Sequence, residues 1–200
     1  MKLLLATHNH HKTREFQRLL RGSYAAAPPI EVDALPEQVM LPPETGETFA
    51  ENALGKVRAA AGATGRTCFA DDSGIAAAAL GGAPGVRSAR FAGEHASDEQ
   101  NLAKLLAEVP AGSPLQYICV IAYVDPAAGV ERLFEGSCAG RMAAQARGEG
   151  GFGYDPAFLP DEGPEGLTMA ELSDAQKDEI SHRGRAARAM LAWLAAEGRL

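Results

Sequence analysis

Three features of the chain predict an α/β fold. Helical and strand-like periodicities alternate along its length, the apolar runs are too short to cross a membrane, and glycine- and proline-rich turns separate the runs. Lys2 to Thr7, KLLLAT, is an apolar run ending at a polar turn. From Lys12 onward Phe16, Leu19 and Leu20 recur at helical spacing, so the start reads as strand, tight turn, helix. An irregular, Pro-rich segment follows from Pro28 to Glu47. Ile30 to Leu35 can form a strand within it, and Pro42 and Pro43 bar a helix before Glu44. Thr48 and Glu51 then form a capping box for a helix from about Phe49 to Gly62 or Gly65.

Thr67 to Ala70 reads as a short strand running into Asp71 and Asp72, with Ile75 to Leu80 continuing beyond and the turn GGAPGVRSARFAG after it. Asp98 to Val109 carries Leu102, Leu105 and Leu106 at helical spacing, with Asp98 as the expected cap. Gln116 to Val124 and Arg132 to Cys138 read as a hairpin across Asp125 to Gly129. In the last segment Ser173 and Gln176 form another capping box, and Ile180, Ala187, Leu191 and Leu194 share a helix face. No linker, repeat or low-complexity block divides the chain, so residues 1–200 are expected to form a single domain.

Composition narrows the function classes. With 46% hydrophobic and 22% charged residues, the chain can bury a substantial core. Its net charge of -7 lacks the basic excess that neutralises a nucleic-acid backbone, which argues against a polynucleotide partner. No apolar run spans a bilayer and the start lacks the apolar core of a secretory signal, so no membrane partner is expected. Cys68, Cys119 and Cys138 lack zinc-site spacing and suit buried free thiols in a reducing, cytoplasmic setting.

Four stretches can carry chemistry. In a strand, neighbouring side chains point to opposite faces, so Asp71 and Asp72 cannot both aim one way unless the strand ends between them. One acid is expected to work and the other to support it, although Asp72-Ser73-Gly74 also reads as a solvated turn. In ATHNHHK, Asn9 can cap the first helix, whose free N–H groups and the charge of Lys12 suit phosphate. His8, His10 and His11 lack a fourth ligand at zinc spacing. GGFGYDP lets the backbone approach a ligand and offers Phe152 for stacking on a flat base. In KDEISHRGRAAR, a break near Ile180 with a restart at Ser181 would place His182 and Arg183 at a helix start.

Taken in order, five motifs resemble the inosine triphosphate pyrophosphatase family, the Ham1-like non-canonical purine nucleoside triphosphatases. They are Thr7-x-Asn9-x-x-Lys12, ETGETFAENALGK, ADDSG with GGAPGVRSARFAG, GFGYDP, and SHRGRA. The resemblance covers nearly the whole chain. It implies hydrolysis of ITP, dITP and XTP to the monophosphate and pyrophosphate with Mg²⁺, by a homodimer that cleanses the nucleotide pool. It also implies an elongated mixed sheet with helices on its faces and two lobes flanking a central active-site cleft.

Carried over by residue, the resemblance places Thr7, His8, Asn9, His10, His11 and Lys12 on the triphosphate, with Lys56 reaching phosphate. Glu44 and Asp72 would hold the metal, and Asp72 would also accept the proton. Ser73 would touch the substrate. Phe152, Gly153, Tyr154 and Asp155 would line the nucleoside pocket, completed by Lys177, His182 and Arg183. His8 stands where glycine is frequent in the family, and Gly55 lies inside a helix at a cost of about 0.5–1 kcal/mol relative to alanine. The rival readings are a pyrophosphatase for another modified nucleotide and a catalytically silent nucleotide-binding protein of the same fold.

Overall fold

The computed structural model describes residues 1–22 and 30–200. Pro28 and Pro29 of the Pro-rich segment lie outside the described residues. The elements in chain order are β1 (Lys2–Leu5), α1 (His10–Gly22), β2 (Glu31–Ala34), α2 (Phe49–Thr64), β3 (Cys68–Ala77), α3 (Asp98–Glu108), β4 (Pro114–Asp125), β5 (Val130–Met142), β6 (Phe158–Pro160), α4 (Asp174–Ile180) and α5 (His182–Ala196). The strands form one mixed sheet in the order β2-β1-β3-β4-β5-β6. β1 runs parallel to β2 and β3, while β5 and β6 are antiparallel. The α/β expectation is met.

The chain divides into two compact units. The first comprises Met1–Asp72, Cys119–Gly136 and Arg185–Leu200, and the second Ser73–Ile118 and Ser137–Gly184. In the first unit the two-residue strand period sorts the core. Leu3, Leu5, Phe69 and Ile121 pack with Phe16 of α1 and Leu191 and Leu194 of α5. Leu4, Ala70 and Ala122 pack with Ala53, Val57 and Ala60 of α2. Each face of these strands therefore has its own helical cover, as a parallel sheet needs. The second unit has one cluster, in which Ile75, Leu105, Tyr117, Met142, Phe158 and Ile180 are buried together.

Local signals set most helix starts. The capping boxes Thr48–Glu51 and Ser173–Gln176 form as expected, and each is worth about 1 kcal/mol. The helix of residues 98–108 departs from expectation. Its cap is Ser97, boxed with Gln100, while the Asp98 carboxylate accepts a hydrogen bond from the Gly153 amide at 3.1 Å. The strand at the acidic pair also differs, because β3 runs unbroken through Asp71, Asp72 and Gly74. Gly74 allows this: a Cβ there would sit 2.4 Å from the Gly85 carbonyl and the Ser88 hydroxyl.

The break before the last helix forms at Ser181, which takes an extended conformation between α4 and α5. Its hydroxyl accepts from the Gly184 amide at 3.1 Å. A Cβ on Gly184 would approach the Asp178 carbonyl to 2.0 Å, so only glycine lets the two helices meet this closely. Ile180 therefore belongs to the second unit's cluster and not to the α5 face carrying Ala187, Leu191 and Leu194. The three cysteines are buried free thiols, and no helix among the described residues is long and apolar enough to cross a membrane.

Candidate functional site

The predicted site residues fall into two clusters, one in each unit. In the first unit the uninterrupted period of β3 settles how the acidic pair is used. Asp71 follows Phe69 onto the α1 side, where its Oδ2 meets the Lys12 Nζ at 2.9 Å and its carboxylate is fully buried. Asp72 follows Ala70 onto the α2 side, where its Oδ2 accepts from the Asn52 Nδ2 at 2.9 Å. Each acid thus serves a different helix.

Lys56 lies one helical turn beyond Asn52. Its Nζ donates to Glu44 Oε1 and to the Asp71 carbonyl, both at 2.6 Å, and lies 3.9 Å from Asp72 Oδ1. Buried to 5% exposure, it is held charged: desolvation works against the ammonium, and Asp71, Glu44 and Asp72 together outweigh that effect. Burial, aided by the Glu44 charge, raises the Asp72 carboxyl above its usual range despite Lys56, Lys12 and the Asn52 hydrogen bond. Burial also acts to raise Glu44, but the Lys56 charge and hydrogen bond overcome it and the net shift is downward. Two carboxyls near one ammonium are pushed apart, and the one raised above its normal range is the better proton acceptor.

Asn52 was absent from the predicted set, and it joins the two acids. Its Nδ2 faces Asp72, and its Oδ1 accepts from the Gly46 amide at 2.8 Å, two residues after Glu44. A Cβ on Gly46 would lie 2.7 Å from that oxygen, so glycine is required for the contact. The four-residue spacing of Asn52 and Lys56 puts both on one helix face, a signal available in the sequence.

Asn9 caps α1, its Oδ1 accepting from the amides of His11 and Lys12 at 2.9 and 3.1 Å. The Thr7 hydroxyl accepts from the Asn9 amide at 3.2 Å. His8, His10 and His11 are exposed. No non-glycine residue among those described has a positive φ, so His8 sits in this turn without backbone strain.

No group of three or more His, Cys, Asp or Glu side chains among the described residues is placed to hold a metal ion. Glu44 and Asp72, converging on Lys56, form a smaller donor set. Such a set fits Mg²⁺, which takes one or two carboxylates with substrate phosphates and water.

The second cluster is built around an aromatic ring. The Arg183 guanidinium carbon lies 4.8 Å from the centre of the Phe152 ring, and the Lys177 Nζ 5.3 Å from it. Arg183 also donates to the Ser73 hydroxyl at 2.8 Å. Lys177 donates to Asp155 Oδ2 at 2.7 Å, and that oxygen also accepts from the Phe152 amide at 3.0 Å. A Cβ on Gly151 would fall 2.0 Å from the same oxygen, which explains the glycine before Phe152.

Tyr154 and Asp155 are buried, as are Lys177, His182 and Arg183. The Tyr154 hydroxyl donates to the Ser88 carbonyl at 2.6 Å, which ties GGFGYDP to the GVRSAR turn. Tyr117, which the sequence did not mark, donates to Asp155 Oδ1 at 3.1 Å. Burial and the Asp155 charge hold its phenol well above the normal value, so the proton stays on the donor. Its ring stacks on the His182 imidazole at 4.5 Å and 7°.

Comparison with known proteins shows the family. The model of the Ham1 family matches residues 3–193. A dITP/XTP pyrophosphatase of Symbiobacterium thermophilum is 48% identical over 189 residues, covering 92% of this chain and 90% of the relative. One from Cutibacterium acnes is 44% identical over 197 residues, covering 95% and 94%. Among solved structures, the Ham1 protein of Staphylococcus aureus superposes with a TM-score of 0.81 at 38% identity, covering 98% of this chain and 100% of that one. A nucleoside-triphosphatase / dITP/XTP pyrophosphatase of Mycobacterium abscessus gives 0.70 at 41% identity, covering 96% and 99%. With matches of this extent in both sequence and structure, the chain belongs to the Ham1 family.

Proposed function

We propose that this chain is a nucleoside-triphosphate pyrophosphatase that hydrolyses dITP and XTP, as the names of its relatives suggest, and ITP, to the monophosphate and pyrophosphate. The observation that carries the reading is the cluster of Glu44, Lys56, Asp72 and Asn52. It combines a carboxyl raised toward base function with an ammonium within 4 Å of it. A water oxygen bonds to the α-phosphorus, its proton passes to Asp72, and the bond to the α,β-bridging oxygen breaks to release pyrophosphate. Glu44 and Asp72 would hold Mg²⁺, which would supply neutralisation and polarisation of the phosphate oxygens.

Lys12, Lys56, Thr7 and the Asn9 amide group bind the triphosphate, with His8, His10 and His11 around the same turn. Lys12 and Lys56 stabilise charge developing in the transition state. Ser73 and Arg183 contact the substrate, and Phe152 stacks on the base. Gly153 permits close backbone approach, while Lys177 and His182 read the base edge. A donor facing the 6-oxo group would be left unpaired by the 6-amino group of adenine, at about 1–3 kcal/mol. Guanine shares the 6-oxo group, so its exclusion needs contacts near the 2-position. The reading includes a homodimer in the cytoplasm, a setting in which three buried free thiols stay reduced.

The test is pyrophosphate release from ITP, dITP, XTP, GTP, ATP and dUTP, with Mg²⁺ and with chelator. Metal-dependent turnover of ITP and XTP, with ATP and GTP slow, is expected. Preference for dUTP would replace the base assignment, and no turnover of any nucleotide would overturn the enzymatic reading.

A further inference from the structure

Tyr117 is buried on β4 and belongs to none of the five motifs, yet it touches both sides of the aromatic cluster. Its hydroxyl donates to Asp155 Oδ1 at 3.1 Å, while Asp155 Oδ2 takes the Lys177 ammonium and the Phe152 amide at 2.7 and 3.0 Å. Its ring lies parallel to the His182 imidazole at 4.5 Å and is tilted against Phe158, also at 4.5 Å. Packing fixes the ring, and the ring fixes both the hydroxyl and the imidazole plane.

The geometry points to Tyr117 as a positioning residue that sets base recognition, acting through Asp155 on Lys177 and Phe152 and through stacking on His182. This inference rests on the nucleotide reading given above. The carboxylate of Asp155 can turn about its Cβ–Cγ bond unless both oxygens are held. Lys177 and the Phe152 amide hold one, and Tyr117 holds the other. Loss of the phenolic oxygen frees that rotation and leaves a buried acceptor without its donor, a change the surroundings meet by shifting. The shift passes to the Phe152 loop directly, because Gly151 leaves no side chain between loop and carboxylate. The ligand concerned is a planar purine carrying a 6-oxo group, and the property controlled is its discrimination from a 6-amino purine.

Tyr117→Phe keeps the ring and removes the oxygen. The dissociation constant for inosine monophosphate, measured by calorimetry without added metal, is expected to rise about tenfold. The ITP-to-ATP ratio of kcat/KM falls by about the same factor, with kcat at saturating ITP changed less than about threefold. Val109→Ala in the same core lowers the melting temperature and leaves the dissociation constant and the ratio unchanged, which separates positioning from general loosening. A Tyr117→Phe variant that melts earlier but binds and discriminates like the parent overturns the inference. Should that variant fail to fold, Asp155→Asn carries the test: an approximately tenfold weaker binding supports the inference and unchanged binding overturns it. If the unaltered chain neither binds inosine monophosphate nor turns over ITP, the functional reading itself fails, and this inference with it.

Discussion

Lys56 and Lys177 are both 5% exposed and both contact a carboxylate, yet their surroundings differ. Around Lys56 gather Glu44, the Asp71 carbonyl and Asp72, so opposite charges crowd together and pull carboxyl titrations apart. Around Lys177 stand Asp155, with Tyr117 on its other oxygen, and the Phe152 ring. The first environment is tuned by charge and the second by shape and hydrogen-bond saturation. Phosphoryl chemistry needs the former, and recognition of an uncharged ring needs the latter.

The largest expected effect tests the charge-tuned side. Asp72→Asn should cut turnover about 10²–10⁴-fold while the melting temperature at pH 7 holds or rises. Because the folded chain raises this carboxyl, its contribution to stability is present below the unfolded value and is lost as pH rises through the folded one. Removing the ionisation should therefore relieve the fold. A large drop in melting temperature would show the acid to be a structural partner, and the contrast between the clusters would weaken.

Phe152→Ala should instead lower kcat/KM about 10- to 100-fold, through KM, as base stacking is worth about 1–3 kcal/mol. An equal loss in kcat would merge the two clusters into one function. Glu44→Gln sharpens the comparison within the first cluster. Its lowered carboxyl contributes stability above the unfolded value that is lost as pH falls through the folded one. The variant should lose about 1 kcal/mol or less at pH 7, since the side chain is 31% exposed, and nothing once the pH is well below the glutamate range. The smallest effect lies outside both clusters. A Cβ on Gly62 meets nothing within 4 Å, so Gly62→Ala should stabilise α2 by about 0.5–1 kcal/mol by chemical denaturation, with kcat unchanged.

Signals that act within one turn of chain were legible in the sequence. Thr48 with Glu51, Ser173 with Gln176, the Asn9 cap and the restart after Ser181 are all satisfied by neighbours a few residues away. Asp98 misled because Ser97 beside it is an equally good cap, and the preference was settled by Gly153, distant in sequence. The strand through Asp71 and Asp72 seemed to need an end between two charges. Its continuity depends on Lys12 and Asn52 receiving one acid on each face. For the site, the motifs supplied the reacting groups. Tyr117 escaped notice because a strand tyrosine at an inward position looks like any core aromatic, and its partner is thirty-eight residues further along the chain.

The core of the first unit also has a temporal side. Leu3 and Leu5 pack against Ala187, Leu191 and Leu194, and Leu4 pairs with Cys68. A strand made among the first residues thus waits for a helix made nearly two hundred residues later. During synthesis α1 and α2 can form early from their own caps, and the α2 side of the core can close without α5, whereas the α1 side closes only once α5 has left the ribosome. Until then the edges of β1 are already paired by β2 and β3, and what stays uncovered is the apolar face carrying Leu3 and Leu5.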